Sequence, residues 1–352
     1  MKSRFFVATI IVSLVLALGC VGFTLSFNKG TDNDVIDYEQ LNIYSSHAVE
    51  FLSPIIAEFE SRTGIRVNIK TGRTDDLLSK IEKRQNTDDV DIMWGGSLSV
   101  LRPYMNQFEE YSSVNEPYVC DEYNNVEGML TRFVDVPSVI IVNLDLVGDV
   151  EIKGYEDLLN PKLRGKIAFC TSSASSSYHD HLINMLYAMG KGKPENGWGY
   201  VVDFCRNLNG QLYSASAVYQ GVADGEFVAG LTFEEAAAKL LSEGENIEIV
   251  YMKEGVLSAP ECICLVKDAP NMENGKAFID FVTGYDAQRL IAQNLNRRSV
   301  RRDVEHSKYL IDKEKINIIY SDSELVSSMN DEWVQHFMRI YSENIDNYNW
   351  ID

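Results

Sequence analysis

Alternating strand and helix signals beyond residue 40 constrain the fold of this chain most. Residues 41–44 and 65–69 are short apolar runs typical of buried strands, and residues 54–61 between them carry apolar side chains at helical spacing. Pro54 is typical of a helix start and Gly64 of a helix end. Strands that alternate with helices predict an α/β fold built on mostly parallel sheets flanked by helices.

The chain is long enough for two such units. At roughly 100–200 residues per domain, 352 residues of which 45% are hydrophobic suffice for two lobes with packed cores. New strand signals begin at residues 137–142, and the apolar run 261–266 reads as a return crossing, so the lobes can close about a hinge. We predict a first lobe of residues 41–136 and 260–305, a second lobe of residues 137–259 with crossing segments at both ends, and a helical tail, residues 306–352, packed on the lobes.

The N-terminal segment is apolar and is separate from the fold. Lys2 and Arg4 precede an uncharged stretch over residues 5–27, a pattern typical of a signal peptide or a membrane anchor. Within it, residues 17–20 resemble a lipobox, which would make Cys20 the lipidated first residue of the mature protein. The alternative is an uncleaved signal anchor, because the stretch exceeds the roughly 20 residues that span a bilayer. In both cases residues 28–40 form a flexible tether on the extracytoplasmic face of the cell membrane.

The charge and the cysteines exclude several classes of function. The chain has 32 Lys and Arg against 52 Asp and Glu, a net charge of −20, which excludes a long basic groove for nucleic acid. No Ser nucleophile elbow or phosphate-binding P-loop occurs, so we predict that the chain is not an enzyme. The sequence leaves the disulfide state open for five cysteines without metal-ligand spacing: Cys120, Cys170, Cys205, Cys262 and Cys264.

A family resemblance follows from residues 154–167, which read GYEDLLNPKLRGKI. This segment resembles the W-x-D-L-x-x-P-x-x-K-G-K-I motif of extracytoplasmic solute-binding proteins that serve ABC importers. Further matching pieces occur in the same order along the chain: FESRTGIRV at 59–67, DIMW at 91–94, GVADGE at 221–226 and AFIDF at 277–281. The chain is thus similar to type 2 periplasmic binding proteins of the ferric-iron-binding cluster. The resemblance implies a ligand in the cleft between two lobes, no cofactor, a monomer and an ABC transporter permease as partner.

The ligand implied by the resemblance is a small phosphorylated molecule. Iron binders of this cluster use adjacent tyrosines after a second-lobe strand, but residues 232–235 read TFEE, and no two tyrosines are adjacent in the sequence. Residues 178–182, YHDHL, and 231–237, LTFEEAA, instead resemble the hexose-phosphate-binding subfamily. Three other ligands remain alternatives: ferric iron, a phosphonate and a thiamine-like molecule. Ferric iron would need tyrosines such as Tyr178, Tyr213 or Tyr219. Sensing is a further one, with a membrane histidine kinase as the partner.

Hydroxyl groups follow several predicted strands of the first lobe, where ligands of open α/β sheets bind. Hydroxyls and backbone N–H groups at helix starts can hold an anion without a basic surface, because the helix dipole supplies partial positive charge. The same residue types also serve as ordinary N-caps. The predicted contacts to phosphate are Ser45, Ser46, Arg73, Thr74 and Ser97.

The second lobe carries groups suited to sugar hydroxyls. His179 and His181 lie two residues apart on a predicted helix and point about 200° apart, so they cannot share one metal ion, and we predict no metal site. Imidazole and carboxylate groups instead donate to and accept from hydroxyls, although glutamates at a helix start also complement its dipole. The predicted contacts to the sugar are Ser175, Ser176, Ser177, His179, Asp180, Thr232, Glu234 and Glu235.

Overall fold

The computed structural model describes residues 40–83, 90–171, 176–208, 210 and 212–344, all within the single unit of residues 39–352. The predicted signal or anchor segment, Cys20 and nearly all of the tether therefore lie outside the described residues. No helix in the described part of the chain has the length and apolar character needed to cross a membrane.

Twelve strands occur in the described residues. They are β1 (Gln40–Ser45), β2 (Arg66–Thr71), β3 (Ile92–Ser97), β4 (Thr131–Asp135), β5 (Ser138–Asn143), β6 (Ile167–Ala168), β7 (Ala229–Phe233), β8 (Ile247–Val250), β9 (Val256–Leu257), β10 (Pro260–Leu265), β11 (Arg298–Ser299) and β12 (Ile318–Ile319). One sheet has the order β11-β4-β10-β3-β1-β2 and a second has the order β6-β7-β5-β8.

The α-helices of the described residues alternate with strands as far as β3, and beyond it several strands or several helices follow one another. They are α1 (Val49–Thr63), α2 (Thr74–Lys83), α3 (Leu98–Leu101), α4 (Ser176–Met189), α5 (Trp198–Cys205), α6 (Ala215–Ala223), α7 (Glu234–Glu243), α8 (Met272–Thr283), α9 (Tyr285–Asn294) and α10 (Ser323–Asn344). Helix α1 begins before the predicted start, so that Pro54 lies inside it, and it ends as predicted at Gly64, whose φ is 75°.

Both sheets are mixed, which corrects the prediction of mostly parallel sheets. Strands β1, β2 and β3 are parallel, but β10 pairs antiparallel with both β3 and β4, and β11 pairs antiparallel with β4. In the second sheet β6 and β7 are parallel, whereas β5 is antiparallel to β7 and β8. The antiparallel strands β4, β5 and β10 flank the crossings between the sheets, so their direction is set by the crossing and not by a strand–helix–strand repeat.

Two segments that lie side by side cross between the lobes, and Asp135 joins them; the chain passes to the second lobe once more after β11. Residues 136–137 connect β4 to β5, and residues 258–259 connect β9 to β10. The Asp135 Oδ1 accepts hydrogen bonds from the Ser258 hydroxyl (2.9 Å) and the Ala259 amide (3.0 Å). The Tyr123 hydroxyl donates to Oδ2 at 2.5 Å. A buried carboxylate with three donors therefore fixes the two crossing segments side by side.

Each sheet has its own aromatic core. In the first lobe the Phe278 ring packs edge-on against Phe59 (centroids 4.9 Å) and Trp94 (5.1 Å). In the second lobe Phe337 of α10 packs against Tyr178 at 5.2 Å, and β12 pairs with β9. The tail after residue 305 thus contributes to the second core.

Residues 212–215 form no strand in the described part of the chain. Leu212 makes only an isolated bridge to Cys170, and α6 begins at Ala215. The Ser214 hydroxyl accepts a hydrogen bond from the Ala217 amide at 3.1 Å, so Ser214 is the N-cap that starts this helix.

The five cysteines in the described part of the chain form no disulfide with one another. Cys262 and Cys264 are fully buried on β10, as their spacing on a strand predicts.

Candidate functional site

A cleft of about 1530 Å³ lies between the two lobes. It is bordered by the carboxyl ends of β1, β2 and β3 on one side and by the starts of α4 and α7 on the other. Eight of the predicted contacts line it: Ser46, Arg73, Thr74, Ser97, Ser177, His179, Asp180 and Glu235.

The three predicted loops of the first lobe meet at two glycines. A Cβ on Gly95 would lie 2.7 Å from the Ser46 hydroxyl oxygen and 2.9 Å from His47 Nε2, and one on Gly96 would lie 3.0 Å from the Thr74 methyl carbon. The φ angles of the two glycines are 110° and 96°, a region that side chains with a Cβ rarely adopt. Backbone without a side chain is what allows the loops after β1, β2 and β3 to approach one another here.

Arg73 lies at the start of α2 on this wall. Its side chain is 56% exposed and its guanidinium lies 3.9 Å from the Asp75 carboxylate. An exposed pair at this distance holds the side chain only weakly, so Arg73 can reorient toward a ligand at little cost. Thr74 opens the helix beside it, and Ser46 lies in the turn that leads into α1.

Ser45 is a correction to the predicted phosphate contacts. It is fully buried, its hydroxyl donates to the Trp94 carbonyl at 2.7 Å, and it accepts from the His47 amide at 3.2 Å. The hydroxyl of the last β1 residue therefore ties β1 to β3 and holds the turn that presents Ser46. It is committed to protein partners and unavailable to a ligand.

Helix α4 brings two predicted sugar contacts into the cleft. His179 Nδ1 lies 3.0 Å from the Asn330 side-chain oxygen on α10. Burial raises the pKa of Asp180 to about 7, opposed by His179 and reinforced by Glu261. Asp180 therefore becomes an ionised acceptor only near and above neutral pH.

His181 is turned away from His179 on the same helix, as the helical spacing predicts. Its Nε2 is 2.8 Å from the Thr232 carbonyl, and burial lowers its pKa to about 4. The described residues contain no group of three or more His, Cys, Asp or Glu placed to hold a metal ion.

Glu234 is the main correction on the sugar side. It is 1% exposed, and its Oε1 accepts from the Arg298 Nε (2.9 Å) and Nη2 (2.6 Å) and from the Tyr251 hydroxyl (2.7 Å). Burial raises the pKa of Glu234, and the attraction of Arg298 opposes that rise. Because Arg298 belongs to the first sheet and Glu234 to the second lobe, this buried ion pair joins the lobes, and it engages the Glu234 carboxylate with protein donors.

Three further predicted contacts are not among the described side chains that line the cleft. Thr232 is fully buried in β7, because the strand continues to Phe233 and does not turn after Leu231. Ser175 lies outside the described residues, and Ser176 is described only as the first residue of α4.

Arg297 is a cleft residue that no local sequence pattern marks. Its guanidinium pairs with Glu235 of the second lobe and, at 2.9 Å, with Glu261 of β10, and it lies 4.0 Å over the Phe51 ring. The only signal was the neighbouring pair Arg297 and Arg298, which matches the neighbouring pair of glutamates at the start of α7. Two adjacent arginines therefore pair with two adjacent glutamates across the interlobe boundary.

His47 is a second residue that the sequence did not single out. It is 6% exposed, its Nδ1 lies 3.4 Å from an Arg297 Nη1, and its Nε2 lies 3.6 Å from Glu261. Burial, with a contribution from Arg297, holds the pKa of His47 well below its usual value. His47 is therefore a neutral imidazole at the floor of the cleft.

Comparison with known proteins places the chain in a family. The model of the family described as bacterial extracellular solute-binding protein matches residues 54–317. The chain belongs to this family. It is an extracytoplasmic solute-binding protein of the ABC importer type. This confirms the family and the two-lobed α/β fold that were predicted from the sequence. The family consists of binding proteins and not of enzymes.

Three known proteins are similar to this solute-binding protein in sequence or in fold. Iron uptake protein A1 from Synechocystis sp. is 27% identical over 277 residues, covering 73% of this chain and 75% of that protein. The structure of the periplasmic binding protein AfuA from Actinobacillus pleuropneumoniae, with exogenous fructose 6-phosphate bound, has a TM-score of 0.76 at 20% identity and covers 86% of this chain and 99% of that chain. A solved two-component system protein described as mediating signal transduction has a TM-score of 0.68 at 29% identity, covering 80% of this chain and 94% of that one.

The tyrosines that an iron site would need are dispersed in this solute-binding protein. Tyr178 is fully buried in the second core and Tyr213 is 72% exposed. Tyr219 lines the cleft, and burial, then the Glu235 charge, raises its pKa. A raised pKa disfavours the phenolate form of Tyr219 that would bind ferric ion.

Proposed function

We propose that this chain captures a hexose phosphate in the interlobe cleft, closes on it about the two crossings as a monomer, and delivers it to the permease of an ABC importer. One observation carries the proposal. The wall of the first lobe presents the hydroxyls of Ser46, Thr74 and Ser97, helix starts and Arg73 beside the carboxylates of Glu50 and Asp75, whereas the wall of the second lobe presents Ser177, His179, Asp180 and Glu235 beside Lys239. A ligand with an anionic end and a hydroxyl-bearing end fits this division.

The phosphate end of the proposed site consists of Ser46, Arg73, Thr74 and Ser97. Helices α1 and α2 begin beside these residues, and helix starts favour anions through backbone N–H groups and the helix dipole. A guanidinium adds charge-assisted hydrogen bonds to phosphate oxygens. The fructose 6-phosphate in the AfuA structure supports this ligand class.

The sugar end consists of Ser177, His179, Asp180 and Glu235, with Arg297 held between Glu235 and Glu261. Carboxylates accept hydrogen bonds from hydroxyls. Burial raises the pKa of Glu261, and the attraction of Arg297 opposes that rise. The acidic character of this wall disfavours a second anionic group at that end of the ligand.

Asp180→Asn should weaken the binding of fructose 6-phosphate at pH 8 by about 10- to 150-fold, because a hydrogen bond to a charged acceptor contributes about 1.5–3 kcal/mol. The pKa of Asp180 is about 7. Below that pH the wild-type carboxyl is mostly protonated and neutral, so the difference between wild type and variant should shrink as the pH falls from 8 to 6. Both proteins bind the same ligand, so titration of the phosphate itself cancels in the comparison.

Glu332→Gln is a matched control, since it neutralises an exposed carboxylate of α10 outside the cleft lining. Its affinity should equal that of the wild type at both pH values. An Asp180→Asn variant that binds as tightly as this control at pH 8 would remove Asp180 from the site.

Sensing is a second candidate function, favoured by the signal-transduction protein that is 29% identical to this chain. In that case the ligand-loaded form would contact a membrane histidine kinase. Deletion of the gene would then abolish induction of sugar-phosphate uptake while leaving uptake intact once the transporter is expressed from another promoter. A binding protein for import would lose uptake under both conditions.

We further propose that the protein is held at the extracytoplasmic face of the membrane through its N-terminus, by a lipid on Cys20 or by the uncleaved apolar segment. Cys20→Ser should abolish labelling with radioactive palmitate and leave an unprocessed precursor if the lipobox is used. Unchanged processing in Cys20→Ser would leave only the signal anchor.

A further inference from the structure

The turn between β1 and α1 carries a buried imidazole that is not among the proposed ligand contacts. His47 lines the cleft, yet its side chain is only 4% exposed. Its ring centroid lies 4.8 Å from that of Phe51, 5.7 Å from that of Phe133 and 6.0 Å from that of Trp94. Because close-packed aromatic neighbours leave little room for rotation, the two ring nitrogens have fixed positions.

The two ring nitrogens of His47 have different surroundings. An Arg297 Nη1 lies 3.4 Å from Nδ1 and, because a guanidinium can only donate, Nδ1 accepts. Burial holds the pKa of His47 well below its usual value, so the ring is neutral and its proton is on Nε2. The Glu261 carboxylate oxygen is 3.6 Å from Nε2, beyond hydrogen-bond distance, and accepts from Arg297 at 2.9 Å. Nε2 is therefore a buried donor without a hydrogen-bond partner among the described residues.

This donor lies beside the Ser46 hydroxyl over one face of Gly95. A Cβ on Gly95 would be 2.9 Å from His47 Nε2 and 2.7 Å from the Ser46 hydroxyl oxygen. Both polar atoms thus lie close to one side of the glycine, where no side chain fills the space. They are near enough to each other for one ligand oxygen to accept from both.

Helix α1 adds backbone donors next to this pair. Its N-cap is Ala48, and no side chain caps its first N–H groups. Uncapped N–H groups at the positive end of a helix dipole favour an anionic oxygen. The acidic residue of the first turn, Glu50, is exposed, so that water and salt screen its charge.

We infer that His47 is a ligand contact, which donates its Nε2–H to the phosphate oxygen that also accepts from Ser46. The inference rests on the proposed function for the identity of the anionic ligand. Arg297 does not touch the phosphate in this arrangement. Its hydrogen bond to Nδ1 keeps the proton on Nε2 and polarises the ring, which strengthens the donor. Two converging donors select an unprotonated oxygen, because such an oxygen can accept from both.

The contact can be observed on the ring itself. Long-range ¹H–¹⁵N spectra of the ligand-free protein, with the His47 signals assigned from a His47→Phe variant, should show a neutral ring protonated on Nε2. Titration with fructose 6-phosphate or inorganic phosphate should move the Nε2–H proton signal downfield. The signals of His306, which lies outside the cleft lining, should stay in place. A ring protonated on Nδ1, or His47 signals that do not move when the ligand saturates the protein, would overturn the inference.

Affinity measurements test whether the donor matters for binding. His47→Phe keeps an aromatic ring among the same neighbours but removes the donor, so binding of fructose 6-phosphate should weaken about 10- to 150-fold, the range for a hydrogen bond to a charged group. His47→Gln retains a side-chain N–H and an acceptor for Arg297, and it should bind more tightly than His47→Phe. His306→Phe is the matched control and should bind like the wild type. Equal affinity of His47→Phe and His306→Phe, or of His47→Phe and His47→Gln, would contradict the inference.

Failure of the proposed function is distinguishable from failure of this inference. If fructose 6-phosphate binds the wild type and His47→Phe equally well, only the role of His47 is wrong. If fructose 6-phosphate does not bind but inorganic phosphate moves the Nε2–H signal, only the proposed ligand is wrong, and if neither ligand moves the signal, both are wrong. Thermal unfolding shows whether His47→Phe is folded, and if it is not, the spectra of the wild type decide the role of His47 alone.

Discussion

Glu234→Gln should lower the free energy of unfolding by about 3–5 kcal/mol, the cost of removing one partner of a buried ion pair. The Arg298 side chain is 5% exposed and donates two hydrogen bonds to the Glu234 carboxylate, with Tyr251 as a third donor. Without the carboxylate a guanidinium charge remains buried between the lobes. Unfolding in urea measures the effect, provided that the free energy of unfolding depends on urea concentration with the same slope in both proteins.

The matched control for this prediction lies on the same helix. Glu243→Gln removes a half-exposed carboxylate that pairs with Lys239 at 3.8 Å, and we expect its stability to stay within about 0.5 kcal/mol of the wild type. A Glu234→Gln protein as stable as the control would show that the pair with Arg298 contributes nothing to the join between the lobes. A stable protein that had lost ligand binding would return Glu234 to the sugar site.

Gly95→Ala should reduce the affinity for fructose 6-phosphate at least about tenfold, because the new methyl group displaces Ser46 and with it a hydrogen bond to charge worth about 1.5–3 kcal/mol. The Cβ would lie 2.7 Å from the Ser46 hydroxyl and 2.9 Å from His47 Nε2, distances that require one of them to move. The φ of 110° adds backbone strain of about 1–3 kcal/mol. Calorimetric titration measures the affinity and thermal unfolding measures the strain.

Gly148→Ala is the control that distinguishes backbone strain from the steric clash that Gly95→Ala would cause. Gly148 also has a positive φ, 62°, but an added Cβ would meet nothing within 4 Å. This variant should lose some stability and keep its affinity. If Gly95→Ala and Gly148→Ala bind the ligand equally well, the convergence of loops at Gly95 is not part of the binding site.

The parts of the site that could be predicted are those set by local sequence. Ser46, Thr74 and Ser97 lie within a few residues of the ends of apolar runs, and the carboxyl ends of neighbouring parallel strands meet at one edge of a sheet. Ser45 was wrongly included because the pattern does not say where a strand ends. One residue of strand register decides whether a hydroxyl faces the cleft or the neighbouring strand.

The parts that could not be predicted depend on contacts between distant residues. Arg298 is 64 residues from Glu234, and Asn330 is 151 residues from His179. No periodicity connects such pairs, so the glutamates at the start of α7 looked equivalent. The structure separates them, because Glu234 is buried against Arg298 whereas Glu235 lines the cleft.

The direction of the strands within each sheet was also not predictable from the sequence. The prediction of mostly parallel sheets followed from strands alternating with helices, which describes β1 to β3 correctly. Strand β10 returns from the second lobe and inserts antiparallel between β3 and β4. An apolar run has the same composition in either direction, so only the topology decides this.

Calorimetric titration of the wild-type protein with fructose 6-phosphate, fructose and inorganic phosphate, at one pH and salt concentration, tests the central claim most directly. The proposed division of the cleft predicts that the sugar phosphate binds more tightly than either part. Fructose should bind very weakly, because the donors at Ser46, Arg73, Thr74 and Ser97 would lack their anion. Equal affinity for fructose and fructose 6-phosphate, or binding of none of the three, would contradict the account.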